Sequence, residues 1–237
     1  MSIQLEFVGH ACFRVWQDAR PILLLDPFTP QTLGLPGDLK LEAETVIVSS
    51  LTDPAHDNFR MAIGNPPIIN ALDVARGQAT AVINGQPLIT VAAREARDHT
   101  THSPMDNALY AFQAGGLWIM HMGDLGYRLT NAELAPFKGH CDLFLVITGE
   151  LNTPSHADLS AMIDFLQPTW IVPMHYELPP VSFDFSTVEK FLVHRAGDPM
   201  ILPRHHTVSL PLPIVRTGRA TLVVPEPSGY VATRSVI

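Results

Sequence analysis

The chain has 237 residues and a formal net charge of −8, with 46% hydrophobic and only 16% charged residues. That length can bury a substantial core without disulfides, and the composition excludes a disordered chain. An acidic balance with no basic run also excludes a nucleic-acid backbone as partner, because neutralising phosphates takes clustered Lys and Arg.

In chain order, residues 3–7 alternate apolar with polar, as a strand with one buried face does, and residues 12–16 partly repeat the pattern. Residues 21–25 form a continuous apolar run that stops at Asp26-Pro27, so an antiparallel meander feeding a more buried strand is expected. Further strands are expected at 45–49, 67–71, 79–83, 88–92, 108–112, 117–121, 143–148 and 169–174. Helices enter mainly in the second half. Thr130, Ser155 and Ser186 are each followed three residues later by an acid (Glu133, Asp158, Glu189), the spacing of a helix start. A helix over 156–166 places Leu159, Met162, Ile163 and Leu166 on one stripe and ends at Gln167-Pro168.

Residues 210–237 are Pro-rich and read as an edge strand at 220–224 followed by a tail, mobile or reaching a neighbouring subunit of a homo-oligomer. The whole of 1–237 is expected to be a single domain. The first residues lack the basic start and apolar core of a signal peptide, and no run approaches the roughly 18 apolar residues of a membrane span. A cytoplasmic protein without a membrane partner is therefore expected. Cys12 and Cys141 both lie among apolar residues and read as buried free thiols, which suits a reducing compartment.

Four polar residues carry the chemistry. The runs Val46-Ile47-Val48, Leu117-Trp118-Ile119-Met120 and Trp170-Ile171-Val172-Pro173-Met174 lead to His56, Asp124 and His175, and His99 follows the strand expected at 88–92. Buried strands that each deliver a metal-capable side chain at one end are how a rigid scaffold holds a metal.

Several segments together resemble the metallo-β-lactamase superfamily, in particular its branch of small metal-dependent hydrolases that includes the L-ascorbate-6-phosphate lactonases. They are Gly9-His10-Ala11-Cys12-Phe13, Leu24-Leu25-Asp26-Pro27-Phe28, Val46-Ile47-Val48-Ser49, Asn58 with Gly64-Asn65-Pro66, His121-Met122-Gly123-Asp124-Leu125-Gly126 and Ile171-Val172-Pro173-Met174-His175-Tyr176. The resemblance implies a four-layer αββα sandwich of two mixed sheets with helices outside and the site at one edge. It also implies a small-molecule substrate. The chain departs from the family's His-x-His-x-Asp-His signature: Ser50 and Thr52 stand where its first two histidines would be, Ala55 where its aspartate would be, and His56 alone matches.

Carried over residue by residue, the resemblance assigns His56, His99, Asp124 and His175 to the metal, with His102 as the weaker substitute for His99. It implies one divalent ion, zinc first and Mn, Fe or Ni next. Such an ion activates water and polarises a carbonyl or phosphoryl oxygen, with Asp124, His99 and Asp53 as the residues assisting catalysis. Asp57 is a second candidate to replace the lost carboxylate, and His102 or Tyr176 to touch substrate. His10 reads as a structural, hydrogen-bonding histidine ahead of a direct ligand, Asp26 as a brace for a site loop ahead of a ligand, and His121 as support or ligand. Glu150 and Glu177 follow strands near the site. Two readings compete with the metal-dependent hydrolase: a metal-free scaffold that binds a ligand or assembles without hydrolysing it, and a metal-free hydrolase using Ser50 or Thr52 as nucleophile with His56 as base.

Overall fold

The computed structural model describes residues 2–35, 37–53, 55–95, 106–179, 181, 183–214 and 218–228. The strands in chain order are β1 (Ile3–Gly9), β2 (Cys12–Gln17), β3 (Arg20–Leu25), β4 (Thr45–Val48), β5 (Ile68–Asn70), β6 (Val82–Ile83), β7 (Gln86–Pro87), β8 (Ile89–Arg94), β9 (Asp106–Ala114), β10 (Leu117–His121), β11 (Leu143–Ile147), β12 (Trp170–Met174), β13 (Met200–Ile201), β14 (Thr207–Leu210) and β15 (Thr221–Val223). The α-helices are α1 (Ala71–Ala75), α2 (Asn131–Leu134), α3 (His156–Leu166) and α4 (Val188–His194).

Two mixed sheets result. The first runs β14-β1-β2-β3-β4-β5, and the second runs β13-β15-β12-β11-β10-β9-β8. The expected meander β1-β2-β3 is antiparallel, and β4 joins β3 in parallel, Leu24 opposite Val46. In the second sheet β10, β11 and β12 are parallel neighbours. Their carboxyl ends therefore share one edge, where ligands gather in parallel sheets.

The apolar runs of β3 and β4 are buried on both faces, and their period of two sorts the side chains. Leu23, Leu25 and Ile47 enter the core shared with Leu109, Ile119, Leu143 and Leu145 of the second sheet. Leu24, Val46 and Val48 point the other way, onto Phe28, Leu33 and Met61. That outer layer is built from loop and two 3₁₀ turns (Pro30–Leu33 and Phe59–Met61), whereas α3 buries Leu159, Met162, Ile163 and Leu166 against the core of the second sheet.

Helix starts follow the local chemistry. Thr130 closes a capping box with Glu133, and the Ser155 side chain accepts from the Asp158 amide. The last helix starts one residue later than the spacing suggests: Thr187 is its N-cap, while the Ser186 hydroxyl donates to Glu150. The segment expected as an edge strand at 220–224 is interior. β15 lies between β12 and β13, parallel to both, with Thr221, Leu222 and Val223 buried; the edge belongs to β13. The tail from 229 on lies outside the described residues. Cys12 and Cys141 are buried and unbridged. Among the described residues no helix is long and apolar enough to cross a membrane.

Candidate metal centre

Strand ends converge on one buried cluster. Asp26 caps β3, His56 ends the loop after β4, Asp124 follows β10 by three residues, and His175 immediately follows β12. His10, in the turn between β1 and β2, closes the group. His56 and His175 are 1% and 5% exposed, and Asp124 8%.

The Nε2 of His56 lies 3.6 Å from Asp124 Oδ2 and 3.8 Å from Asp53 Oδ2, and the Nε2 of His175 lies 3.5 Å from Asp124 Oδ1. Ring centroids are 5.5 Å apart for His56 and His175, and the His10 ring lies 4.9 Å from that of His56 and 4.0 Å from that of His175. The ligand atoms of His10, His56 and His175 all lie within 4.8 Å of one another, and so do those of Asp53, His56 and Asp124. Both nitrogens of His56, Nε2 of His10, Nδ1 of His175 and Oδ1 of Asp124 are buried without a hydrogen-bond partner. Buried polar atoms are normally satisfied, so this cluster of unpartnered nitrogens and carboxylate oxygen is a donor set that fits a cation.

Electrostatics agree with this. Burial alone would favour a neutral His56, but Asp124, Asp53 and Asp26 outweigh it and push its pKa up to about 10. Burial and the neighbouring His56 charge hold His175 down at about 3. Burial, reinforced by Asp53 and Asp26 against the pull of His56, raises Asp124 to about 6. The pocket thus holds more carboxylate charge than one proton on His56 satisfies.

A ring of supports fixes these groups. Asp26, fully buried, accepts from the Ser49 amide (2.8 Å) and the Tyr110 hydroxyl (3.1 Å), and its Oδ2 faces His56 Nδ1 at 3.5 Å. The Asp124 amide donates to Asn107 Oδ1, and Asn107 donates to the Met122 carbonyl. The His175 amide donates to the His10 carbonyl at 2.8 Å. Three of these residues hold left-handed backbone, His10 at φ +52°, Asp26 at +39° and His175 at +56°. Each costs on the order of 1 kcal/mol, strain that folds concentrate at functional sites.

Gly149 makes room for one of them: a Cβ there would collide with the His175 carbonyl oxygen. Gly149→Ala is expected to displace His175, lowering stability by about 2 kcal/mol or more, as overpacking does, and weakening metal binding. Urea denaturation with and without added zinc measures both.

The structure brings His56, Asp124, His175 and Asp53 together, while His99 and His102 lie outside the described residues. His121 acts as support: its Nε2 is bound to the Ala11 carbonyl and its Nδ1 to the Gly123 amide. The Ser50 and Thr52 hydroxyls bond each other at 2.6 Å, and neither bonds His56, so the nucleophile and base pair of the metal-free reading is not formed. Glu150 is spent on Ser186 and on the amide of His156, Glu177 is exposed, and Tyr176 is buried against Phe7. Sequence reasoning missed Asn107 and Tyr110, whose roles exist only in three dimensions. A small cleft lined by Ser49, Ser50, Asp53, Asn107 and Asp124 adjoins the cluster. A roomier cavity, about 480 Å³, lies instead at the other end of β12. It has two arginines, but Arg195 and Arg219 are committed to Asp198, and among the described residues no metal-capable cluster lines it.

The sequence profile described as the beta-lactamase superfamily domain matches residues 4–175. The chain belongs to the metallo-β-lactamase superfamily. A curated relative from Pyrococcus abyssi, named a UPF0173 metal-dependent hydrolase, is 25% identical over 85% of this chain and 97% of its own length. Among solved structures, a protein from Thermotoga maritima described as a Zn-dependent hydrolase of the superfamily superposes with a TM-score of 0.67 at 23% identity, covering 94% of this chain and 98% of its own. A metallo hydrolase from Ignicoccus hospitalis, Igni18, gives 0.62 at 17% identity over 90% and 100%. These superpositions bear out the expected fold of two packed sheets.

Proposed function

We propose that this superfamily member is a hydrolase of a small ester, lactone or phosphorylated metabolite, working in the cytoplasm with one divalent ion, zinc in the first instance. The observation that carries this reading is the convergence of His56, Asp124 and His175, with both nitrogens of His56, Nδ1 of His175 and Oδ1 of Asp124 buried and without a hydrogen-bond partner. The names of the relatives support it. One ion rather than two follows from Ser50 and Thr52, whose neutral hydroxyls are far poorer ligands than the imidazoles of the family signature.

His56, Asp124 and His175 would hold the ion, with His99 as a further ligand from its own segment. A bound divalent ion supplies Lewis acidity and a water of lowered pKa. Asp53, at the rim of the cleft with its side chain 16% exposed and 3.8 Å from His56, would accept a proton from the attacking water and return it to the leaving group. Ser49, Ser50 and Asn107 offer polar contacts to the substrate's reacting group.

Purified protein reloaded with zinc is expected to bind one equivalent, measured by elemental analysis, and to hydrolyse at least one of a panel of aryl esters, lactones and phosphomonoesters. His175→Ala is expected to lose both. Absence of stoichiometric Zn, Mn, Fe or Ni, together with indifference to His175→Ala, would return the protein to the ligand-binding reading.

A further inference from the structure

Resting on the metal-dependent reading, we propose that His10 is a direct ligand, so that three imidazoles, from His10, His56 and His175, grip the ion beside the Asp124 carboxylate. The chain would thereby replace, from the turn between β1 and β2, the imidazoles that Ser50 and Thr52 no longer provide after β4.

The first support is placement. His10 is 3% exposed, its ring lies 4.0 Å from that of His175 and 4.9 Å from that of His56, and the ligand atoms of all three fall within one 4.8 Å span. Two zinc–nitrogen bonds of about 2.0–2.1 Å put nitrogens that share an ion no more than about 4.2 Å apart, so small ring rotations would close the span.

The second support is what the ring does not do. A histidine kept for structure spends its nitrogens on hydrogen bonds, as His121 does on Ala11 and Gly123. His10 Nε2 is buried and bonds nothing, although a donor or acceptor left unmade costs about 1–3 kcal/mol.

The third support is the backbone. The His10 carbonyl accepts from the His175 amide, and both residues hold left-handed φ, so the two imidazoles are delivered as one rigid unit. Phe185 covers both rings, with centroids at 5.9 Å and 4.7 Å, walling them from solvent on that side.

The deciding experiment uses zinc alone. Crystals of the wild-type protein loaded with zinc are expected to show an anomalous peak within about 2.0–2.1 Å of a His10 nitrogen. In solution His10→Asn, which tolerates positive φ, is expected to weaken zinc binding by calorimetry more than the 10–100-fold typical of a residue that only orients a ligand. Cobalt-loaded His10→Asn is expected to show an altered d–d spectrum. A peak bonded to His56, His175 and Asp124 with His10 beyond 3 Å would overturn the proposal while leaving the metal-dependent reading intact. A wild-type protein that binds no zinc would overturn that reading itself. Should His10→Asn fail to fold, the wild-type crystal decides alone.

Discussion

Asp124→Asn is expected to reduce zinc affinity by about 100-fold or more and to take hydrolysis below detection, because it removes the one carboxylate that lies against both His56 and His175. The substitution keeps the shape of the side chain and the amide contact to Asn107, so stability is expected to change little. Asn107→Ala offers the contrast: it leaves the charge and loosens its position, and a loss of only 10–100-fold is expected. pH adds an independent readout. Asp124, raised to about 6 by burial and its acidic neighbours, is anionic above that pH and protonated below it, so affinity falls as pH drops through 6. His56, pushed up to about 10, carries a proton at neutral pH that zinc must displace. Calorimetry at pH 8 in buffers of differing ionisation enthalpy is expected to show about one proton released per zinc. Binding that is pH-independent from 5 to 8 would be incompatible with Asp124 as a ligand.

The parts of the architecture that rest on local periodicity were legible in the residues. The alternation at 3–7 and the double-sided apolar runs ending at Leu25 and Val48 announce strands, and Ser155 with Asp158 announces the start of α3. β15 was mistaken for an edge because flanking prolines argue against ladder partners, whereas those prolines lie outside its three paired residues. The short β13 and β14 carry too few residues for any period to show. At the site, the strand-end rule pointed to His56, Asp124 and His175, which the fold brings together, the last two soon after their buried runs and His56 at the end of a loop after β4. It could not find the unpartnered Nε2 of His10, whose surroundings are the His56 and His175 rings brought in from distant segments. Nor could it show that Tyr110, whose position in a buried strand suggests packing alone, gives its hydroxyl to Asp26.

Asp26 joins fold and site, and Asp26→Ala is expected to cost about 3–5 kcal/mol, the range for breaking a buried charged network. Its Oδ1 is the acceptor for the Ser49 amide at the end of β4 and for the Tyr110 hydroxyl of β9, while Oδ2 lies 3.5 Å from His56 Nδ1 and 3.8 Å from His121 Nδ1. Removal strands two buried donors, each worth about 1–3 kcal/mol when unmet, and leaves His56 without the negative partner behind its ring. Asp26→Asn separates these contributions. An amide oxygen still accepts from Ser49 and Tyr110, so most stability is expected to remain, but the charge that orients His56 and strengthens it as a ligand is gone. Zinc affinity is then expected to fall 10–100-fold in a protein whose urea midpoint is close to wild type. Equal losses of stability in the two variants would show that the charge, not the pair of accepted hydrogen bonds, holds the strand ends together. A Tyr110→Phe variant, expected to cost only about 1 kcal/mol, gives the size of the single hydroxyl contact against which both are read.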